Sequence, residues 1–430
     1  MPTKRPLQIG FAALAMAVIT FGLAVSAQAQ TESVLFSFNT GWKGSNPYGG
    51  LVFDSAGNLY GTTYNGGNPK TCNNNGCGVV FELSPSSSGW TEKVLHTFSG
   101  GYDGANSRAT LIIDAAGNLY GTTTAGGDLT ACRGFGCGVV FKLSPQSGGT
   151  WTETVLYAFV GGTKDGTSPS PNLTFDNAGN LYGTTKFGGS SAYCTLAYPG
   201  CGTAFKLSPT SSGPWKETIM RAFSGGNDGA EPGAGLTLDA AGNLYGTTEF
   251  GGPQGDGVVY RLSPTSGGRW QETVLYQFGT LSTDGFAPLS MLIFDAAGNL
   301  YGTTAEGFGS SSWGTVFELS PTTSFAWQET QLHVFAVTST DGIFPGAGVV
   351  FDSAGNLWGT TTSSLSGPGA VFKLSPSSGG TWAESTFLFN NTDGYEPTSG
   401  LILDASGNLY GTTVSGGANN AYGVAFQIVP

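Results

Sequence analysis

Residues 239–248 read Asp-Ala-Ala-Gly-Asn-Leu-Tyr-Gly-Thr-Thr, and close variants of this decapeptide recur along the chain. Successive copies are 52–63 residues apart. Self-similarity at a nearly fixed period is the signature of a repeat architecture, in which each repeat is one supersecondary unit. The seven copies begin at Asp54, Asp114, Asp176, Asp239, Asp295, Asp352 and Asp404.

One period contains four short segments with β-strand character. In the fourth unit they are Leu236–Leu238, Leu244–Thr248, Gly257–Leu262 and Trp270–Phe278, each bounded by Gly, Pro, Asn or Ser. No stretch after residue 30 has an apolar 3.6-residue period long enough for a helix. Four antiparallel strands repeated seven times predict an all-β, seven-bladed β-propeller. We expect residues 30–430 to form this single domain, with repeats starting near residues 49, 108, 171, 233, 289, 346 and 398.

The Asp and the Gly between the first two strands recur in every unit. Asp accepts hydrogen bonds from nearby backbone N–H groups, and Gly and Asn tolerate a positive φ. We therefore interpret these Asp residues as turn caps and not as catalytic acids. The aromatic residue at the Tyr245 position and the one at the Tyr260 position recur in the other units. Since both faces of a propeller sheet are covered by neighbouring blades, we expect these rings to stack between blades.

The first and last segments of the repeat array match different strands of one repeat. Thr31–Phe38 matches a fourth strand, whereas the last segment, Gly423–Ile428, matches a third strand. Pairing the two would complete blade seven and remove the exposed edges of an open array. A linear β-solenoid would instead need capping segments, and we find none in the sequence.

Residues 1–29 have the pattern of a secretory signal peptide: Lys4 and Arg5, an apolar stretch from Ile9 to Val25, and Ala-Gln-Ala at 27–29. An uncleaved anchor is the alternative, because the apolar stretch is fairly long. We expect no other membrane span and a protein that is secreted or on the exterior of the cell envelope. The net charge of −12 argues against nucleic acid and anionic lipid as partners. We expect a monomer.

The six cysteines fall in three close pairs, all between the second and third strands of a unit. Equivalent positions on neighbouring blades lie about 10 Å or more apart, beyond disulfide reach. We therefore predict three local disulfides, which also fit an exported protein. A zinc site is the alternative, but structural zinc needs four converging ligands. The pairs are Cys72–Cys77, Cys132–Cys137 and Cys194–Cys201.

The sequence offers little catalytic chemistry. Motifs for a nucleophilic serine, a zinc protease and a phosphate loop are absent. His96 and His333 lie on fourth strands, where we interpret them as surface positions of an edge strand. We expect no catalytic residue and no cofactor.

One set of acidic residues repeats in the loop from each fourth strand into the next blade. Every member precedes a Gly, and blade one has Lys43 instead. Six carboxylates on one face could bind Ca²⁺ or a polyol. We favour the interpretation that they form Asp-Gly turns, because ligands of one Ca²⁺ must lie within about 5 Å of each other. The members are Asp103, Asp165, Asp228, Asp284, Asp341 and Asp393.

Loop variation points to a binding face. The loop between the second and third strands varies in length or content from unit to unit, whereas the Asp-Gly-Asn turn hardly changes. Variable loops on a rigid scaffold carry function. Within these loops Phe135, Tyr193 and Tyr198 offer ring faces for stacking on a sugar or contacting a protein partner. Packing of the rings against their own disulfides is the alternative.

The chain resembles the GloVer tandem-repeat family of bacterial exported proteins. The resemblance rests on Asp-x-Ala-Gly-Asn-Leu-Tyr-Gly-Thr-Thr followed by Gly-Val-Val-Phe-Lys-Leu-Ser-Pro, and it covers residues 31–430. It implies an exported or surface-associated location and brings no assigned activity. Anchored members carry a C-terminal anchor, whereas this sequence ends at Ile428-Val429-Pro430. The Asp turn is also similar to that of NHL and lactonase-type propellers, whose metal-binding acids and His have no counterpart in this sequence.

Three functional hypotheses follow. The favoured one is non-catalytic binding of an extracellular glycan or protein through the variable loops. The second is an enzyme, such as a polysaccharide lyase, glycosidase or lactonase, that uses carboxylates at the channel mouth. The third is a structural protein of the cell envelope. Clustered acids with strongly shifted pKa values would favour the enzyme, whereas an exposed aromatic platform would favour glycan binding.

Overall fold

We describe the structure from a computed structural model. It describes residues 31–39, 41–191, 193–194, 200–211, 213–281, 284–307, 312–322, 326–336, 341–364, 367–418 and 422–430. The predicted signal peptide, residues 1–29, lies outside the described residues, as does Tyr198. No α-helix occurs within the described ranges.

The described chain forms nine antiparallel sheets, of which seven correspond to the seven copies of the decapeptide and two are two-stranded sheets in the loops. In six of these seven sheets the first to fourth strands lie side by side in sequence order, and in blade seven the fourth place is taken by the N-terminal strand. This confirms the predicted seven-bladed β-propeller. The first strands are Val52–Phe53, Ile112–Ile113, Thr174–Phe175, Thr237–Leu238, Ile293–Phe294, Val350–Phe351 and Ile402–Leu403. The second strands are Leu59–Thr62, Leu119–Thr123, Leu181–Gly188, Leu244–Thr248, Leu300–Thr304, Leu357–Thr361 and Leu409–Thr413.

The third and fourth strands form the outer part of each blade and, except in blade three, are longer than the first and second strands. The third strands are Val79–Ser86, Val139–Pro145, Thr203–Ser208, Val258–Pro264, Ser312–Pro321, Ala370–Pro376 and Val424–Val429. The fourth strands are Gly89–Thr97, Trp151–Ala158, Lys216–Ala222, Trp270–Gln277, Trp327–Ala336, Trp382–Leu388 and, for blade seven, Thr31–Ser37. Short strands at Gly166–Pro169, Gly285–Phe286, Glu306–Gly307, Gly342–Ile343 and Ser363–Ser364 and 3₁₀ turns at Cys72–Asn74, Cys132–Gly134 and Gly162–Lys164 lie in the loops.

The Asp of each decapeptide organises its turn through four hydrogen bonds. In blade one, Asp54 Oδ1 accepts from the N–H groups of Ala56 (2.8 Å) and Asn58 (2.9 Å). Its Oδ2 accepts from the Asn58 side chain (2.8 Å) and from the Tyr60 hydroxyl (3.0 Å). Burial alone would raise the pKa of Asp54, but these hydrogen bonds lower it. The same bonds form at the other six turns, with the Trp358 indole N–H replacing a hydroxyl in blade six. The turn-cap interpretation is therefore confirmed.

The Gly of Tyr-Gly-Thr-Thr is required by packing. Gly61 lies opposite Phe81 on the neighbouring strand, and a Cβ atom at Gly61 would lie 2.6 Å from Cζ of that ring. The absence of a side chain lets the third-strand ring lie flat across the second strand. The corresponding ring of each blade is fully buried.

Two types of contact, each repeated around the propeller, join neighbouring blades. The first Thr of each decapeptide donates to a backbone carbonyl of the next blade, as in Thr62 Oγ1 to Ala109 O at 2.9 Å. The third-strand ring of each blade also receives the edge of a Phe from the preceding blade, as in Phe98–Phe141 at 5.3 Å. The predicted stacking of aromatic residues between blades is thus confirmed.

The first described strand closes the propeller. Thr31–Ser37 pairs antiparallel with Val424–Val429, with Thr31 opposite Val429. Phe38 follows this strand, is buried, and contacts Phe81 of blade one edge-on at 5.0 Å. The predicted split blade seven is confirmed.

Six of the seven fourth strands contain a β-bulge. In blade one, Val80 pairs with His96 and Phe81 pairs with Val94, which leaves Leu95 as the extra residue. Blade six lacks the bulge. The buried Phe389 that follows its fourth strand is one residue nearer to the Trp of that strand than the corresponding Phe is in blades one to five.

The propeller has two distinct faces. The loops between second and third strands pair with the loops that follow the fourth strands, as in the bridge between Ala105 and Ala125. We call this side the loop face. The opposite side carries the Asp-Gly-Asn turns and the turns between third and fourth strands, and we call it the turn face. Residues at the first strands of the blades line a central cavity of about 620 Å³.

Candidate functional site

Three disulfides stiffen the loop face, as predicted. Their Cα–Cα distances are 5.3 Å for Cys72–Cys77, 5.4 Å for Cys132–Cys137 and 5.0 Å for Cys194–Cys201, and the described chain has no free cysteine. Each bridge lies against a Gly of the loop that leaves its own blade, namely Gly100, Gly161 and Gly225. The disulfides therefore hold two loops of one blade together on this face.

Exposed aromatic side chains are concentrated on the loop face. Phe135 is 64% exposed and Tyr193 is 88% exposed, so both rings keep most of their surface in solvent. Trp42 and Tyr102, which the sequence analysis did not single out, are also exposed. They occupy the position before Lys43-Gly44 and Asp103-Gly104, so an alignment of the repeats could have revealed them. With Phe250, these five residues are the exposed aromatics of the described ranges, and all lie in loops of this face.

A non-glycine residue with left-handed backbone recurs at the channel mouth of every blade. In blade two it is Asn106, whose N–H donates to Cys77 O of blade one at 2.8 Å. Its carbonyl accepts from Thr124 Oγ1 at 2.8 Å. Such a conformation costs about 1–3 kcal/mol and must be stabilised by its surroundings. The seven residues, with φ of 55–59°, are Asn46, Asn106, Ser168, Glu231, Ala287, Phe344 and Glu396.

Arg108 and two tyrosines form a cluster on one side of the channel mouth. The guanidinium lies 4.5 Å from the Tyr48 ring centroid and 5.0 Å from that of Tyr64, and the two rings contact each other edge-on at 5.4 Å. Cation–π contacts fix the exposed Arg108 side chain. Next to it lies a cavity of about 350 Å³, which is lined by Tyr64, Arg108, Thr124, Phe135 and Ser168 among others. Phe135 thus belongs to a concave site and not only to a loop tip.

A second charged group lies at the mouth between blades three and four. Lys186 Nζ is 2.7 Å from Glu249 Oε2 and 3.5 Å from Glu231 Oε2. Burial raises the pKa of Glu231, Lys186 lowers it, and the neighbouring Glu249 raises it. Lys186 and Glu249 also line the central cavity, together with Arg108. The mouth therefore presents cations, anions and aromatic rings around one opening.

The Asp residues of the Asp-Gly loops lie in the gaps between blades, which we call seams. Each one is near a Glu on the fourth strand of the next blade, and all but Asp393 are also near a residue on the fourth strand of their own blade. For example, Asp165 and Tyr157 of blade two lie against Glu217 of blade three, to which the Tyr157 hydroxyl donates at 3.1 Å. The groups are Lys43 with Glu92, His96 and Asp103 with Glu153, Tyr157 and Asp165 with Glu217, Arg221 and Asp228 with Glu272, Tyr276 and Asp284 with Glu329, His333 and Asp341 with Glu384, and Asp393 with Glu32.

The structure thus distributes the six Asp residues among six seams. Each carboxylate also caps its own loop, as when Asp103 Oδ2 accepts from the N–H of Ser99 at 2.8 Å. This is the behaviour of an Asp-Gly turn.

The seven Glu residues were not identified from the sequence. Burial and, to a smaller extent, the charge of Asp165 together raise the pKa of Glu217 to about 8. Burial likewise raises the pKa of Glu153 to about 7. These shifts arise in structural clusters that repeat around the ring, so they do not by themselves indicate a catalytic centre. The signal that could have found them is Trp-x-Glu at the start of six fourth strands.

The interpretation of the two histidines as surface positions was wrong. The His96 side chain is only 20% exposed and that of His333 only 18%. Each ring packs edge-on against the Phe two residues later, Phe98 or Phe335, and lies in a seam beside an Asp. The β-bulge causes this placement, because the extra residue changes which face of the strand the following side chain occupies.

The sequence profile of the Gloeobacter/Verrucomicrobia repeat matches residues 19–198 and 191–426. The chain belongs to this repeat family. The Gloeobacter/Verrucomicrobia repeat therefore covers the propeller, and the resemblance inferred from the decapeptide is confirmed. No curated protein matches the chain.

Solved structures similar to this Gloeobacter/Verrucomicrobia repeat protein include a protein of unknown function from Dyadobacter fermentans. That pair has 9% identity and a TM-score of 0.47, and covers 92% of this chain and 97% of the other. Another is the extracellular domain of a hybrid two-component system from B. thetaiotaomicron, with 14% identity and a TM-score of 0.48. The match covers 90% of this chain and 40% of that one. In the ranges that the structure describes, no helix has the length and apolarity needed to span a bilayer.

Proposed function

We propose that this protein is an exported, non-catalytic propeller that binds an extracellular glycan through its loop face. The observation that carries the proposal is the location of the exposed aromatic side chains. Trp42, Tyr102, Phe135, Tyr193 and Phe250 all lie in loops of one face, whereas the turn face has no exposed aromatic residue among the described ranges. Because aromatic rings are normally buried, a one-sided concentration of exposed rings marks an interaction surface.

The chemistry of this face suits a sugar. An exposed ring offers an apolar face that can stack on the C–H groups of a pyranose, and an adjacent polar side chain can bond its hydroxyls. Phe135 and Arg108 line the same cavity of about 350 Å³ and supply both kinds of contact. A chain of several sugars would extend from this cavity towards Tyr102 and Trp42 on the preceding blades.

The disulfides favour binding by these loops. Cys132–Cys137 encloses Phe135, and Cys194 directly follows Tyr193. A loop that is rigid before binding loses less conformational entropy when it binds. Three disulfides are also compatible with an oxidising, extracellular compartment.

The enzyme hypothesis has weaker support. It required acids with shifted pKa values at the channel mouth, whereas the strongest shifts are on seam residues such as Glu32 and Glu217. At the mouth, Glu231 and Glu249 are neutralised in part by Lys186. A seam repeated around the whole ring is a structural feature, whereas a catalytic centre occupies one place on a propeller.

A glycan array with the purified protein tests the proposal, followed by titration of the best ligand. We expect Phe135→Ala, Tyr193→Ala and Tyr198→Ala together to weaken that ligand at least tenfold without changing the melting temperature. Leu129→Ala is the matched control, since it removes an exposed aliphatic side chain from the same loop as Phe135. Binding of a protein partner but of no glycan would contradict the proposed ligand class and show that the ligand is a protein. Full affinity of the triple variant would exclude these loops as the site.

A further inference from the structure

Three metal-ligating side chains converge in the seam between blades five and six. His333 lies on the fourth strand of blade five, Asp341 in the loop that leaves this blade, and Glu384 on the fourth strand of blade six. His333 Nε2 is 3.6 Å from Asp341 Oδ1 and 3.5 Å from Glu384 Oε1. One ligand atom from each residue lies within 4.8 Å of the other two, and this is the one such group among the described residues.

Two of the atoms that face this point, one from His333 and one from Glu384, are buried without a hydrogen bond to any described residue. Glu384 Oε1 and His333 Nε2 are both shielded from solvent and have no hydrogen-bond partner within the described ranges. A buried carboxylate oxygen without a donor is energetically costly. Asp341 adds to this cost, because its negative charge lies close to that of Glu384. A cation between the three side chains would give Glu384 Oε1 and His333 Nε2 a partner and would offset the repulsion between the two carboxylates.

The donor set identifies the class of cation. One imidazole nitrogen and two carboxylate oxygens do not suit Ca²⁺, which takes six to eight oxygen ligands. Zn²⁺ accepts His nitrogen and carboxylate oxygen at about 2.1 Å, and tetrahedral geometry then places ligand atoms about 3.4 Å apart. The two distances from His333 Nε2, 3.5 and 3.6 Å, match this spacing. We propose that His333, Asp341 and Glu384 bind one Zn²⁺ ion, with a water molecule as the fourth ligand.

The seam between blades one and two shows why the site is specific to one seam. It contains the same residue types, namely His96, Asp103 and Glu153, with His96 Nε2 3.4 Å from Asp103 Oδ2. There, however, both Asp103 oxygens accept hydrogen bonds from Ser99, one from its N–H and one from its hydroxyl. In the seam between blades five and six, one ligand atom from each of the three residues lies within 4.8 Å of the other two, and within the described ranges the residues of the seam between blades one and two do not form such a group.

The remaining seams lack the imidazole. At the positions that correspond to His333 they carry Phe36, Tyr157, Arg221, Tyr276 and Phe387. None of these side chains is a neutral nitrogen ligand for zinc. The chain therefore contains two seams of similar composition, one predicted to bind and one not, which provides an internal control.

Isothermal titration with ZnCl₂ tests the proposal, using the tag-free protein of residues 30–430 after removal of metal with a chelator. We expect one equivalent of Zn²⁺ to bind and to raise the melting temperature. Co²⁺ should give the intense visible absorption of a tetrahedral site. His333→Gln should weaken Zn²⁺ at least 100-fold, whereas His96→Gln, a change of the same kind in the matched seam, should leave affinity and stoichiometry unchanged.

Three results would overturn the assignment. The first is no binding to the wild-type protein at millimolar Zn²⁺. The second is unchanged affinity in His333→Gln. The third is loss of an equivalent in His96→Gln, which would place zinc in the wrong seam. If His333→Gln does not fold, Glu384→Gln takes its place, and a wild-type affinity in that variant also contradicts the proposal.

Discussion

The hydroxyl of Thr412 donates a hydrogen bond of 2.9 Å to the carbonyl oxygen of Gly49. These residues are 363 positions apart in the chain, yet their contact is the counterpart of Thr62 with Ala109 and of every other blade-to-blade pair. The junction between blades seven and one is therefore built like the other six. Closure of the ring needs no special contact, only a complete blade seven.

Deletion of residues 31–38 should strongly destabilise the propeller. It would expose the edge of Val424–Val429 and remove the buried Phe38 ring, so we expect aggregation or a large fall in melting temperature. Thermal unfolding followed by circular dichroism measures the effect. Phe38→Ala separates the two causes, because it removes the ring, at about 3–5 kcal/mol, but keeps the strand. An unchanged melting curve of the deletion would show that the N-terminal strand does not close blade seven.

Reduction of the disulfides should have a small effect on stability. Each bridge closes a short loop, with a sequence separation of 5, 5 and 7 residues. The stabilisation should therefore not exceed the roughly 3 kcal/mol that chain entropy gives for a loop of about 15 residues. Unfolding in denaturant with and without a reductant measures this. Peptide mapping without reduction should recover the three pairs within their loops. Pairs between blades would contradict the assignment.

Gly302→Ala should destabilise blade five by about 1–3 kcal/mol, because overpacking a filled core forces side chains from their preferred positions. A Cβ atom there would lie 2.7 Å from Phe317 Cζ and 2.8 Å from Leu292 Cδ2. Gly267→Ala is the control, since a Cβ atom at Gly267 meets nothing within 4 Å. Chemical denaturation should separate the two variants. Equal stability would mean that the ring can shift without cost.

The melting temperature should fall as the pH rises from about 5 to 8. Burial first, and then the charge of Asp165, raise the pKa of Glu217 from 4.5 to about 8. In this window the folded state holds a proton that the unfolded state has released, so raising the pH favours unfolding. Glu32, with a pKa also raised to about 8, acts in the same direction. Below this window the turn Asp residues, with lowered pKa values, lose their contribution as they become protonated.

Glu217→Gln tests the pH dependence directly. The amide cannot ionise, so we expect the variant to melt above the wild-type protein at pH 8 and close to it at pH 5. Glu306→Gln is the control, because Glu306 is exposed and its replacement should not alter the slope. A wild-type slope in Glu217→Gln would mean that this carboxyl does not titrate as described.

The fold could be predicted from the sequence because its determinants are local and repeated. Asp239 caps a turn of five residues, and the phase of Thr31–Phe38 against the final strand required closure. The seams could not be predicted in the same way. Glu153 and Asp103 belong to different blades and come close only when neighbouring sheets pack together. The bulge that directs the His96 side chain towards the seam is a property of strand pairing, which is not visible in the sequence. Likewise, the absence of the bulge from blade six is seen only in the register of its strand pairs.

The candidate binding face was predicted only in part. The variable loops pointed to Phe135 and Tyr193, which the structure places on the loop face. Trp42 and Tyr102 lie in the short loops that enter each blade, directly before the Lys-Gly or Asp-Gly pair. No feature of a single repeat distinguishes these aromatic residues from buried ones. The Tyr48–Arg108–Tyr64 cluster depends on how the loops of two blades approach the channel, and a single sequence does not encode this approach in any local pattern.

The pairing of Thr31 with Val429 has a consequence for orientation. Both residues lie at the turn-face end of blade seven, so the described chain enters and leaves the propeller at one point, on the side away from the exposed aromatic rings. A tether attached at either end would therefore fix the propeller by its turn face and leave the loop face directed away from the point of attachment. Immobilisation through a terminal tag should therefore leave the candidate glycan site open to large polymers, whereas coupling through loop-face side chains such as Lys70 or Lys164 would cover it.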